Sequence, residues 1–372
     1  MRVVVAPDKF KGSLSGAEVA AAVAAGIADV HPDVTATLAP VADGGDGTVA
    51  AAVAAGFEPR SVTVEGPTGE PVDAPYAMRG ARAVVELAAA CGIDLLPGGR
   101  FAPLTASTYG LGQVVADAVE HGAAEIVLGL GGSASTDGGA GMLQALGAVL
   151  HTDTGPLTAR GGAALADIVS VDLGPLWERM AGVAVVVASD VDNPLLGPDG
   201  AAAVFGPQKG AAQEEVGLLD AALARWAGVV CAAVGRDDTT VPGAGAAGGA
   251  GFAALAVLDA RLEQGIRLVL DLLDFDATLA GADLVVTGEG SLDEQSLAGK
   301  APVGVAEAAR RAGAPVVAVA GRCTLSPERL AAAGIRAAYP LSVLEPDVGT
   351  SMRNAAPLLR EVGRRIAKEW VP

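Results

Sequence analysis

The feature that most constrains this chain is an alternation present at both of its ends and absent between them. Short apolar runs of strand length alternate there with alanine-rich stretches of helical length. Near the N-terminus the runs are residues 3–6 and 35–39, each followed by an alanine-rich helical stretch. From Asp283 the rhythm returns, with strands expected at 284–286, 316–319 and 336–341. Helices are expected near 303–312 and 327–333, and a last one ending near Trp370. Alternation of this kind predicts a parallel sheet. Each end alone supplies only two or three strands. The expectation is therefore one Rossmann-like sheet built from both ends, residues 1–60 plus 281–372, with residues 61–280 inserted as a second α/β domain. Two consecutive domains are the simpler alternative.

The middle reads differently. Residues 61–64, 72–78 and 83–87 are short strands at close spacing, as in a meander. A helix at 111–120, a strand at 126–130, a glycine loop and a helix through 142–150 follow. Further strands are expected at 183–188 and 267–270, with a long helix at 214–233 between them. A length of 372 residues fits two domains of ordinary size. Only 3% of the residues are aromatic and 51 are glycine, so the core must be built from Ala, Val and Leu. That suits α/β layers better than a β-sandwich.

Charge excludes some partners. With 43 acidic and 25 basic residues the formal net charge is −18, unsuited to a nucleic acid or an anionic membrane surface. A small anion remains admissible if a local cationic site holds it. Cys91, Cys231 and Cys323 lie far apart without CxxC spacing, which reads as reduced thiols in a cytoplasmic protein. The run 3–6 is too short for a signal peptide and meets Asp8 and Lys9 at once. The uncharged stretch 239–258 is broken by Pro242 and five glycines, so it is not a membrane span.

Four places combine glycines with a helix start after a strand: residues 11–13, 43–47, 131–139 and 288–293. Glycine lets backbone N–H groups crowd around an anion, and a helix N-terminus adds further donors. Open α/β sheets bind ligands at this edge, so the four together point to phosphate handling, although each alone reads as a plain turn. The scarce lysines Lys9, Lys11, Lys209 and Lys300 sit in such loops. Ser13 or Ser15 can cap the first helix, with Glu18 completing a capping box. No Walker A motif is present. GAGAAG from Gly243 matches GxGxxG but does not follow an apolar strand. In SDVDNP from Ser189, Asp190 at a strand end can accept a proton from a hydroxyl, and Asp192 with Asn193 offers hard oxygen ligands for Mg2+. An Asx turn before Pro194 is the alternative. His31, His121 and His151 are isolated, which gives little support to a triad or a zinc site.

These motifs, in order, carry a resemblance. PDKFKGSLS from Pro7, ADGGDGT from Ala42, GGSASTDGGAG from Gly131, DVDNPL from Asp190 and FGPQKGA from Phe205 belong to it. So do GAGAAGG from Gly243, TGEGSLD from Thr287 and GKAP from Gly299. The chain resembles the bacterial glycerate kinases of the glyoxylate-pathway type over most of its length. The family's usual DGGEG is DGGDG here, and its frequent SATND is SASTD. The resemblance implies ATP-dependent phosphorylation of D-glycerate at the 2-hydroxyl, with Mg2+, and two α/β domains with a cleft between them, the inserted one flavodoxin-like.

On that basis Asp190 is the expected base or orienter of the attacking hydroxyl, and Lys9 the group that stabilises the transferring phosphoryl. Lys11, Ser13, Asp43, Gly44, Ser133 and Asp137 are expected at the substrate. Gly131, Gly132, Gly288, Glu289, Gly290, Asp293 and Lys300 are expected at the nucleotide, and Asp192 at the metal. The rival readings are phosphorylation at the 3-hydroxyl, a non-catalytic nucleotide or sugar-acid sensor and, more distantly, a nicotinamide oxidoreductase.

Overall fold

A computed structural model describes residues 1–372, residue 298 by its backbone alone. The chain begins β1 (Arg2–Pro7), α1 (Gly16–Val30), β2 (Thr35–Leu38), α2 (Thr48–Ala54). Next come β3 (Glu58–Glu65), β4 (Pro71–Arg79), β5 (Arg82–Glu86), α3 (Leu87–Cys91), α4 (Tyr109–Glu120), β6 (Glu125–Gly129) and α5 (Ala140–Leu146). Then follow β7 (Val149–Thr152), β8 (Gly155–Pro156), β9 (Ile168–Asp172), α6 (Gly174–Arg179), β10 (Ala184–Ala188), α7 (Ala201–Phe205) and α8 (Gln213–Val234). After α9 (Ala246–Leu258), β11 (Arg261–Glu263), α10 (Gly265–Leu272) and α11 (Phe275–Leu279) the chain returns to regular alternation. That last part is β12 (Leu284–Leu292), α12 (Ala301–Arg311), β13 (Val316–Cys323), α13 (Pro327–Ala332), β14 (Ile335–Pro340), α14 (Val348–Arg353) and α15 (Ala355–Trp370).

The chain divides into two compact units. The first comprises Met1–Asp43, Ala50–Gly56 and Gln264–Pro372, the second Gly44–Val49 and Phe57–Glu263. In the first unit one five-stranded sheet runs β14-β13-β12-β1-β2, all parallel and drawn from both chain ends. Successive side chains of a strand point to opposite faces. Val3 and Val5 of β1 therefore join α1 and α15 in one core, while Val4 and Ala6 join α10 and α12 in another. A strand buried on both faces has to be apolar throughout, which is why β1 reads as a continuous run.

In the second unit a six-stranded sheet runs β11-β10-β6-β5-β4-β3. Its β11, β10, β6 and β5 are parallel, and β4 and β3 add the antiparallel meander. Helix α8 is long and apolar enough, by length and composition, to cross a membrane, but it lays Leu219, Leu223 and Trp226 into the core of this unit.

Three local expectations fail. Residues 267–270 form no strand; they lie inside α10, where Ile266, Val269 and Leu270 are buried. A short apolar run does not by itself separate strand from buried helix. The helix expected through Leu150 stops at Leu146, because Gly147 takes a left-handed φ of 118° and β7 begins two residues on. Residues 288–292 are not a loop but the continuation of β12.

Candidate active-site groups

In the first unit the chain leaves β1 toward one edge of the sheet and returns as β12, beside β1, to build the other way. Neighbouring strands whose connections diverge leave a crevice at their carboxyl ends, where ligands of open α/β sheets bind. Asp8 and Lys9 follow β1, and Glu289 lies on β12 beside it. The Asp8 N–H donates to the Gly288 carbonyl at 2.8 Å, and the Lys9 N–H donates to the Asp8 carboxylate at 2.6 Å. Burial pushes the Asp8 carboxyl up to about 7; the Lys9 charge opposes this, and the charges of Asp43 and Glu289 add to it. Burial also raises Glu289, opposed by Ser296 and Lys300 and reinforced by Asp293 and Asp43. The Glu289 Oε1 atom is buried with no hydrogen-bond partner. Asp8 is a member of this group that the sequence reading passed over. Its place between a buried strand and Lys9 was the available signal.

The rest of the first unit refines the expectations. The helix after PDKFKGSLS starts at Gly16, and Ser15 and Glu18 form the capping box, so the N–H groups of Ser15 and Glu18 are used within the chain. Gly12 takes a left-handed φ of 73° in the turn that pairs Phe10 with Leu14. Lys11 is exposed, and the Ser13 hydroxyl donates to the Met352 carbonyl at 2.7 Å. Gly290 sits on β12, where a Cβ would make only ordinary contacts with Phe10 and Lys11.

Two residues expected at the nucleotide also have contacts within the chain. A Cβ on Gly288 would lie 2.2 Å from the Val319 carbonyl, so this glycine serves strand packing. Asp293 accepts from Ser291 Oγ at 2.9 Å and from the Gln295 N–H at 3.0 Å. Burial works to raise its carboxyl, but these bonds hold it below the usual range. Arg322 donates to Ser291 Oγ at 2.9 Å and extends the chain of contacts. Lys300 stands at the N-terminus of α12, partly exposed.

In the second unit the carboxyl ends of β5, β6 and β10 present Glu86, the loop 130–139 and the segment 189–193 along one edge. The buried Glu86 carboxylate accepts the Val49 N–H. Gly129 and Gly131 admit backbone, since a Cβ on the first would lie 2.6 Å from the Gly44 carbonyl and on the second 2.8 Å from Gly45 Cα. Gly44 and Gly132 have φ of 86° and 74°, open to glycine at little cost.

Asp137 is 1% exposed, and its carboxylate is fully occupied. It accepts from Ser107 Oγ, from Thr108 N–H and Oγ1, and from the N–H groups of Gly139 and Gly141. Asp137, expected at the substrate, ties the start of α4 to the glycine loop. Burial raises its carboxyl, and those hydrogen bonds oppose the rise. Ser133 is 8% exposed, and its Oγ lies 2.7 Å from Lys209 Nζ. GAGAAG explains itself by packing. A Cβ on Gly248 would lie 2.2 Å from the Ser135 carbonyl, and Gly138 N–H donates to Gly248 O at 2.9 Å. The stretch braces the 131–139 loop.

Asp190 is exposed directly beyond β10, and Asp192 is exposed two residues on. The Asn193 amide nitrogen donates to the Asp199 carbonyl at 2.8 Å, so its oxygen is the end left for a ligand. Among the described residues no three His, Cys, Asp or Glu side chains form a metal-holding group.

Comparison with known proteins agrees with the motifs. The model of the glycerate kinase family matches residues 3–371. A glycerate kinase of Halalkalibacterium halodurans is 42% identical over 98% of this chain and 97% of its own length. The glycerate 2-kinase of Escherichia coli K12 is 44% identical over 87% of this chain and 86% of its own. A solved structure from Salmonella typhimurium LT2, with a candidate assignment as glycerate kinase 2, superposes with a TM-score of 0.85 at 41% identity. It covers 99% of this chain and 97% of that one.

Proposed function

This chain belongs to the glycerate kinase family and is an enzyme of the kinase class, and on that premise we propose that it transfers the γ-phosphoryl of ATP to the 2-hydroxyl of D-glycerate. The observation that carries the choice of hydroxyl is the 44% identity to a relative named glycerate 2-kinase. Catalysis of phosphoryl transfer rests on positioning and on stabilising charge.

Asp190, exposed beyond β10, takes the proton of the attacking hydroxyl. Lys9, beside Asp8 at the switch between β1 and β12, stabilises the transferring phosphoryl. Lys11, Asp43, Gly44 and Ser133 orient the acid. Gly131, Gly132, Glu289, Gly290 and Lys300 meet the nucleotide.

Asp192 and the Asn193 amide oxygen, left open by the bond of its nitrogen to Asp199, are the hard oxygen donors that would hold Mg2+, which takes one or two carboxylates and keeps several waters. When bound, the ion neutralises charge on the phosphate oxygens. Three free cysteines favour a reducing, cytoplasmic setting. The test is ADP release by the purified protein with and without D-glycerate. Release that depends on glycerate supports the proposal. Release that does not, or none at all, refutes it.

A further inference from the structure

The loop after β6 passes from the exposed Gly132 into the interior, and Ser133 sits at that boundary. Lys209 comes from the turn following α7 and is 3% exposed. Its Nζ donates to Ser133 Oγ at 2.7 Å and to the Ser135 carbonyl. An ammonium has three donors and no acceptor. Ser133 Oγ accepts from it, so the serine's own proton is left for another partner. Ser135 Oγ and Thr136 Oγ1 are buried with no partner at all. Buried polar atoms are normally paired, and unspent donors around a cation suit an anionic acceptor. Asp137 is the charged group that faces Lys209, but its carboxylate is already filled by Ser107, Thr108, Gly139 and Gly141.

We propose that Lys209 is a positioning residue for the substrate: by donating to Ser133 Oγ it makes the Ser133 hydroxyl an outward donor, and that hydroxyl receives the carboxylate of the hydroxy acid. The proposal rests on the D-glycerate kinase reading. A carboxylate carries a single charge for one buried cation, whereas a triphosphate brings several. Burial lowers Lys209 to about 7, with the Asp137 charge opposing. Below that pH Lys209 is an ammonium and Ser133 can only accept from it. Above it the amine can accept the serine proton and turn the hydroxyl inward.

The experiment is steady-state kinetics of the full chain with D-glycerate and Mg-ATP, from about pH 6 to about pH 9. Wild type, Ser133→Ala, Lys209→Met and the double variant are compared. Each single variant is expected to raise KM for D-glycerate about tenfold, with KM for ATP unchanged. The double variant should be no worse than the weaker single one, since the two residues act as a unit. Wild-type kcat/KM for D-glycerate should fall above pH 7, and that fall should be missing from Ser133→Ala, which keeps Lys209.

Unchanged KM for glycerate in the single variants, additive losses, a rise confined to KM for ATP, or a pH fall that survives in Ser133→Ala would each overturn the proposal. If Lys209→Met does not fold, the pH profile of Ser133→Ala decides. A wild type without D-glycerate turnover refutes the kinase reading and takes this proposal with it. Normal wild-type turnover with unaffected variants refutes the Lys209 assignment alone.

Discussion

Gly26 of α1 and Gly363 of α15 meet backbone to backbone: a Cβ on Gly26 would lie 2.9 Å from Gly363 Cα and 2.0 Å from the Arg360 carbonyl. The first and last long helices of the chain are thereby held together. Asp29 adds to this by accepting from Arg360 at 2.6 Å and from Arg364 at 2.8 Å. Gly26→Ala should force the helices apart and cost about 2–3 kcal/mol, despite the better helix propensity of alanine. Urea unfolding measures this. Gly217→Ala in α8, where a Cβ meets nothing within 4 Å, should gain a few tenths of a kcal/mol to about 1 kcal/mol.

Asp8→Asn should change the dependence of stability on pH. The folded carboxyl titrates near 7 and the unfolded one near 3.8. The folded state therefore holds a proton that the unfolded state has lost between these values, and stability falls as pH rises through that window. Above 7 the buried charge costs the most. The variant should melt several degrees higher than wild type at pH 8 and show no such advantage at pH 4. Equal melting curves at pH 8 would contradict a buried carboxyl that resists ionisation.

Asp137→Ala removes the acceptor for donors from Ser107, Thr108, Gly139 and Gly141. Burying those groups unpaired should cost about 3–5 kcal/mol. Thermal melting checks it, and a loss below about 1 kcal/mol would mean that water replaces the carboxylate.

Asp190→Asn tests the proposed base. The side chain is exposed, so the melting temperature should stay close to wild type. Turnover should fall by about 10²-fold or more. Near wild-type kcat would remove Asp190 from the mechanism.

Much of this was legible from residue order. The continuous apolar run of β1, buried on both faces, and the Ser15–Glu18 capping box are local, and local patterns survive into the fold. The parallel sheet drawn from both ends followed from counting strands. What misled was local ambiguity. Residues 268–270 form a short apolar run of strand length, and tertiary packing made them part of α10. The small sheet β8-β7-β9 carries too few residues per strand to show a period.

The site was legible as motifs and not as roles. DGGAG looks like an anion loop, and its spacing does not show that Asp137 accepts from Thr108 or that Gly288 lies against the Val319 backbone. Lys209 looked like any lysine in a glycine loop. Its partner lies 76 residues earlier in the chain, and no spacing rule reaches that far. Asp8 drew no notice because its perturbation comes from burial and from Asp43 and Glu289, which only the fold brings near.

The most direct test of the account is phosphorus NMR of the purified protein with Mg-ATP and D-glycerate. The account predicts a product phosphorus coupled to a single proton, the mark of phosphate on the 2-hydroxyl. Coupling to two protons would place the phosphate on the 3-hydroxyl, and ATP left intact would contradict the kinase assignment itself.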